Sequence, residues 1–294
     1  MKNLVFKDYK DKHKNERVFI LGNGPSLNET DLNLLEKENT IAMNRISMIY
    51  DKYKYWRPTY YFFCSTEIKH KKYGAVWLSS VLSSIFEPST TSFIASMFKE
   101  NIDPNNNLKN IKWFHVLSET KPDDTGEIKE DSFSTNILDR IDKSGSTINC
   151  ALQLAYYMGF SEIVLLGVDG GITGKVEATN DPNHFYNNNY EVVTSNQYRA
   201  NQKLRNVHKL ALSVFNKNKP NVKIYNASVR TVLDTYPIIK FYDYINNHKI
   251  VERPEDLEKA KLFWKNQIYI EPKPDTLIIK IFNKIKKILK LILK

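Results

Sequence analysis

An α/β fold built on a doubly wound, mostly parallel sheet is what the sequence predicts, on three observations. Short apolar runs stop at glycine or a polar residue: RVFILG at 17–22, TIAMN at 40–44 and EIVLLGV at 162–168, which runs into Asp169. They are too short for helices and continuous enough for strands covered on both faces. Stretches with helical spacing lie between such runs, and strands that alternate with helices build parallel sheets. Glycine is scarce, ten in 294 residues, yet glycines fall just past the ends of two of these strands, where open α/β sheets bind their ligands.

In chain order, residues 1–16 are polar and charged and read as a flexible arm. Residues 17–22 form the first strand. Asn23-Gly24-Pro25-Ser26 makes a turn, and residues 27–37 resume with helical spacing at Leu27, Leu32, Leu34 and Leu35. The second strand covers 40–44 and the third 60–65. Residues 93–97 fit a fourth strand or a helix. Residues 101–135 are rich in Asn, Asp, Lys and Pro, which predicts loops around one strand at 112–117. Ser144-Gly145-Ser146-Thr147 opens a run at 148–159 that suits a buried helix stopped by Gly159. The strand at 162–168 ends on Asp169. Residues 170–196 form a polar lid loop whose length marks function or disorder. A helix at 197–215 and a strand at 222–226 follow. The domains read as an arm (1–16), a catalytic domain (17–248), a charged, proline-punctuated connector (249–276) and an amphipathic helix (277–294).

Composition narrows the function. Cys64 and Cys150 have no CxxC spacing and no paired histidines, so they read as buried thiols in a reducing cytosol. The N-terminus lacks an apolar signal core, and no run is long enough to cross a membrane. Net charge is +10, but six of the lysines fall in the last fifteen residues. The body therefore lacks the basic face that nucleic-acid binding needs, and no nucleic-acid partner is expected.

Four places carry chemistry. In Gly22-Asn23-Gly24-Pro25-Ser26, glycines let backbone N–H groups approach a phosphate, and a following helix favours the negative charge. Ser26 is a candidate N-cap and phosphate donor. The absence of GK[ST] argues against a Walker-type kinase. Ser146 and Thr147 repeat the same physics at a second helix start, where capping alone would also explain them. Gly167 and Asp169 end the strand at 162–168. Asp169 could hold a ribose hydroxyl, a metal or an acceptor sugar, or be structural. His184, clustered with Asp181, Asn183, Tyr186 and Tyr190, suits a general base because histidine titrates near neutrality; a polar surface role is the alternative.

The order of Gly22 to Ser26, Met43-Asn44-Arg45, Ser144 to Thr147, Gly159-Phe160, Leu166-Gly167-Val168-Asp169 and a loop histidine resembles the bacterial sialyltransferases of glycosyltransferase family 42. It also resembles the wider superfamily with the archaeal 6-hydroxymethylpterin diphosphokinase-like domain. The resemblance spans residues 17–236. It implies a single Rossmann-like domain with a mobile lid and a CMP-activated sugar donor. Asn23, Gly24, Ser26, Asn44, Ser146 and Thr147 would contact the nucleotide or its phosphate. His184 would deprotonate an acceptor hydroxyl. The family's leaving-group tyrosines have no match between Asp169 and His184, so Tyr186 and Tyr190 stand in by proximity. No metal or other cofactor is implied. The diphosphokinase alternative needs Mg²⁺, with Asp169 and Asp181 as candidate ligands.

In the tail at 277–294, Lys280, Lys284, Lys287, Lys290 and Lys294 share one stripe of a helix, only Lys286 strays from it, and the rest is apolar apart from Asn283. One reading is a helix docked on the chain's own core or on a dimer partner. The other is an in-plane anchor on anionic lipid, serving a glycan or lipid-linked acceptor at the inner face of the cell membrane.

Overall fold

The computed structural model describes residues 2–117, 128–170, 183–186 and 197–266. Among them, seven strands form one sheet: β1 (Arg17–Leu21), β2 (Asn39–Met43), β3 (Tyr60–Phe63), β4 (Thr91–Ala95), β5 (Ile111–Phe114), β6 (Glu162–Leu166) and β7 (Lys223–Asn226). Their spatial order is β5-β4-β3-β2-β1-β6-β7, and every pair is parallel. The helices are α1 (Gly74–Ile85), α2 (Lys99–Ile102), α3 (Thr147–Met158), α4 (Gln197–Asn218), α5 (Phe241–Asn247) and α6 (Pro254–Asn266). The α/β expectation holds, and the sheet is parallel throughout.

After its first residue each of β1, β2, β4 and β6 is buried without alternation. Cover on both faces explains the continuous apolar runs. The chain order reverses at β1, which has β2 on one side and β6 on the other. This is the switch point where such sheets open a crevice beyond their carboxyl ends. Leu21 pairs with Leu166, so Gly22 and Gly167 leave the sheet side by side. Helix α3 is buried along its whole length and ends on Gly159 at φ +84°. That left-handed geometry favours glycine, as the sequence suggests.

Four expectations need correction. Residues 1–16 are not a frayed arm. Leu4–Tyr9 is a 3-10 turn whose Phe6 is fully buried, 5.0 Å from Phe93 and 5.7 Å from Phe114 between ring centroids. Asn3 donates its side-chain amide to the carbonyls of His115 and Ile137, and His13 stacks on Phe160. One aromatic in a charged stretch does the anchoring, which polarity conceals.

Residues 27–37 are not an α-helix. Two 3-10 turns, Pro25–Glu29 and Leu32–Leu35, are separated by extended Thr30. Asp31 accepts from the N–H of Asn33 and so starts a new turn, and the Tyr53 hydroxyl takes the Thr30 carbonyl.

Helix α1 falls where the sequence reading places no element. Trp77, Val81 and Ile85 do recur at helical spacing, but four serines mask it. Buried Ser80 and Ser84 are accommodated by donating to the carbonyls of Val76 and Ser80.

The fold also does not end at residue 248, since the connector contains α6. Pro254 occupies the first helical position, where its missing N–H costs nothing. Arg253 pairs with Asp256 in the first turn, and Trp264 donates to the Arg230 carbonyl at 2.8 Å. The proline thus starts a helix instead of breaking one. The tail at 277–294 and most of the lid loop lie outside the described residues. No helix among the described residues is long and apolar enough to cross a membrane.

Candidate nucleotide site

The glycine turn sits at the switch point, but its polar groups face the protein. The Gly22 N–H donates to the Leu166 carbonyl and the Gly24 N–H to the Gly167 carbonyl, both at 2.8 Å. The Ser26 N–H donates to Asp169 Oδ2 at 3.0 Å, and its hydroxyl donates to Asp169 Oδ1. The chain's own carboxylate therefore occupies the anion position that the sequence reading gave to a phosphate. Pro25 opens a 3-10 turn of five residues, which lacks the aligned dipole of an α-helix. The phosphate-cradle reading of Gly22, Gly24, Pro25 and Ser26 is corrected accordingly: the turn is a clasp between β1 and β6.

Asp169 is buried, and burial pushes its pKa up to about 6 against the opposing hydrogen bonds from Ser26. Between the ordinary value of 3.8 and about 6, the folded chain keeps a proton that the unfolded chain releases. Stability that is full below this window is lost as pH rises through it. At about 1.36 kcal/mol per unit, the fall approaches about 3 kcal/mol. Buried His208, whose pKa burial pushes down to about 3, gains stability with pH over the same window. The Asp169 contribution is therefore read as the difference between wild type and Asp169→Asn, whose stability should rise with pH relative to wild type. Urea melts taken from about pH 4 to pH 7 measure the slope, and a variant as pH-sensitive as wild type would rule out Asp169 as its source.

Two asparagines and the start of α3 offer what the turn does not. Asn23 donates Nδ2 to the Met43 carbonyl at 3.0 Å, while its Oδ1 is buried and accepts no hydrogen bond among the described residues. Asn44 follows β2 in the left-handed region at φ +55°, which asparagine tolerates. Tyr61 donates to its carbonyl, and the Thr147 hydroxyl to its Oδ1 at 3.4 Å. Ser144 (φ +44°) and Gly145 (φ +74°) reverse the chain just before Ser146, with Ser144 held by Asp142. Ser146 is the N-cap of a 12-residue α-helix, yet its side chain makes no capping bond, and the first turn holds no acid. The positive end of α3 beside Asn44 thus has neither a side-chain cap nor an acid in its first turn. Cys64 lies 3.5 Å from the Thr147 hydroxyl and 3.9 Å from Cys150, and both are free buried thiols, as the sequence suggests.

The described piece of the lid, residues 183–186, docks on the turn. The Phe185 N–H donates to the Asn23 carbonyl at 2.9 Å, and Asn28 Nδ2 donates to the Phe185 carbonyl at 2.8 Å. Phe185 and Tyr186 are buried. His184 is half-buried and stacks on Tyr186 at 4.9 Å and 12°. Tyr186 in turn lies over Arg45. Tyr190 and Asp181 fall outside the described residues. Asn23, Asn44, Gly167 and Asp169 thus follow the carboxyl ends of β1, β2 and β6, Ser146 and Thr147 open α3, and His184 and Tyr186 belong to the segment docked on the turn. Sequence reasoning missed Asn28 and Trp77 and gave Arg45 no role. An asparagine six residues past a glycine and a tryptophan in a serine-rich run carry no signal of their own.

No protein-family model matches the chain, and no curated protein matches it. It is similar to solved sialyltransferases of Campylobacter jejuni. CstII, solved with the substrate analogue cytidine-5′-monophosphate, is 16% identical, with 84% of this chain and 98% of that one covered at a TM-score of 0.41. The monofunctional α-2,3-sialyltransferase Cst-I is 18% identical, with 94% and 96% covered at a TM-score of 0.40. At these levels the likeness is one of fold.

Proposed function

We propose that the chain is a glycosyltransferase. It takes a sugar from a nucleotide-activated, CMP-linked donor and passes it to a cell-surface glycan or lipid-linked acceptor, with His184 as general base and no metal. The observation that carries this reading is the buried Oδ1 of Asn23 at the switch point, which accepts no hydrogen bond among the described residues. A buried acceptor without a partner costs about 1–3 kcal/mol, and a ribose hydroxyl or a base amino group would satisfy it. The donor phosphate belongs at the start of α3, where Ser146 and Thr147 offer hydroxyls at a positive helix end. The leaving CMP would be stabilised there by fixed donors. His184, as the base, belongs to the segment docked on the turn.

Thermal shift and calorimetry with CMP in the absence of metal test the reading. Wild type is expected to be stabilised, and Asn23→Ala to bind about tenfold more weakly, the worth of one hydrogen bond of about 1.4 kcal/mol. Unchanged affinity would remove Asn23 from the site. Stabilisation by ATP with Mg²⁺ and not by CMP would favour a diphosphokinase that transfers pyrophosphate. Stabilisation by neither would favour a non-catalytic scaffold in polysaccharide assembly.

A further inference from the structure

We infer that Arg45 is a positioning residue that seats His184 through a stack of aromatic rings; this rests on the reading of His184 as the base. Arg45 directly follows the left-handed Asn44 and is the N-cap of the 3-10 turn Ile46–Ile49. The reversal at Asn44 returns its side chain toward α1, and Arg45 is only 3% exposed. A guanidinium is expensive to bury, so its partners matter. Its Nε donates to Ser80 Oγ at 3.3 Å. Its Cζ lies 5.7 Å from the ring centroid of Trp77, one helical turn before Ser80, and 4.6 Å from that of Tyr186. Both distances are within cation–π range, and the attraction grows when the pair is desolvated.

Tyr186 passes the order on. It lies nearly parallel to the His184 imidazole. The resulting column runs from Trp77 on α1 through Arg45 and Tyr186 to His184. Backbone bonds hold Phe185 to the glycine turn on one side, and the Arg45 column holds the flanking rings. Residues 183–186 belong to no helix or strand, and the column adds rigidity to a base carried on a loop. Lysine keeps the charge but loses the planar stacking face. Methionine keeps the approximate length and loses both.

The test uses the full chain with ¹³C-labelled histidine. The His184 ring signal, assigned by its loss in His184→Gln, is expected to be displaced by the Tyr186 ring current. Arg45→Met should return it toward the position of a free histidine while the other histidine signals stay in place, and Arg45→Lys should restore part of the displacement. Tyr186→Leu breaks the column without removing a buried charge and should give the same loss, which keeps the test valid if Arg45→Met fails to fold. In CMP release from CMP-sialic acid, both breaking variants should lose about 10²-fold in kcat, the effect of a misplacement of about 1 Å, with donor KM unchanged. An unmoved His184 signal in a folded Arg45→Met or Tyr186→Leu chain would overturn the inference. A moved signal with CMP release unchanged there and in His184→Ala would support the column and overturn the base assignment.

Discussion

Gly24→Val is expected to destabilise the chain by about 4 kcal/mol and to lower its melting temperature by about 8–16 °C. The cause is internal packing. Gly24 has φ −68° and ψ 156°, a conformation open to any residue, so backbone strain is not the reason for glycine. Space is. A Cβ there would run into the Asp169 carboxylate and would meet the Gly167 carbonyl oxygen at 2.7 Å. Gly22 is confined in the same way by Gly167. Overpacking a filled site costs about 1–3 kcal/mol, and displacing Asp169 also breaks its bonds to Ser26, at about another 1–3 kcal/mol. Gly24→Ala should move the melt in the same direction by less. Thermal melts followed by circular dichroism measure the effect. A Gly24→Val chain that melts like wild type but fails to bind CMP would show that the turn meets the ligand, and the clasp would be wrong.

The same residues show what can be read from a sequence of this kind. Strands covered on both faces leave an uninterrupted apolar signature, so β1, β2 and β6 are legible, and so is α3, with every residue buried and a glycine stop. The glycine turn is legible as a position and not as a chemistry. A short Gly-Asn-Gly looks the same whether its N–H groups meet a phosphate or a neighbouring strand. Only the pairing of Leu21 with Leu166 shows that Gly22 and Gly24 meet the end of β6. Asp169 was open between a ligand role and a structural one, and its two bonds from Ser26 favour the structural one in this state. The turns after Ser26 mislead because leucine spacing fits a helix, while Asp31 competes for the backbone through its own side chain. Arg45 illustrates a contact between segments distant in sequence: its partners stand 32, 35 and 141 residues further along the chain, at Trp77, Ser80 and Tyr186, and no local pattern reports that.

His184→Ala is expected to lower transfer by about 10²–10⁴-fold, the usual worth of a positioned general base, with CMP affinity nearly unchanged. The argument is one of division of labour. The proposed donor contacts, Asn23, Asn44, Ser146 and Thr147, belong to β-strand ends and the start of α3. His184 belongs to the docked lid piece, which the backbone bonds of Phe185 and the Arg45 column link to that wall. Truncating the imidazole leaves Phe185 and its bonds intact, so the donor wall should survive. What disappears is the group that accepts a proton from an acceptor hydroxyl as the sugar–phosphate bond breaks. Two other histidines serve as controls. His115 is exposed, and His115→Ala should leave both activity and stability near wild type. His208 is fully buried on α4 against the Tyr236 hydroxyl at 3.1 Å, and burial pushes its pKa down to about 3. It is neutral across the working range, and His208→Ala should lower the melting temperature while the folded fraction keeps its kcat. Steady-state transfer, paired with CMP titration of each variant, separates the cases. Full activity in His184→Ala removes it from the role of base. A loss of CMP affinity that matches the loss of rate would instead make it a donor contact and shift the search for the base to the rest of the lid.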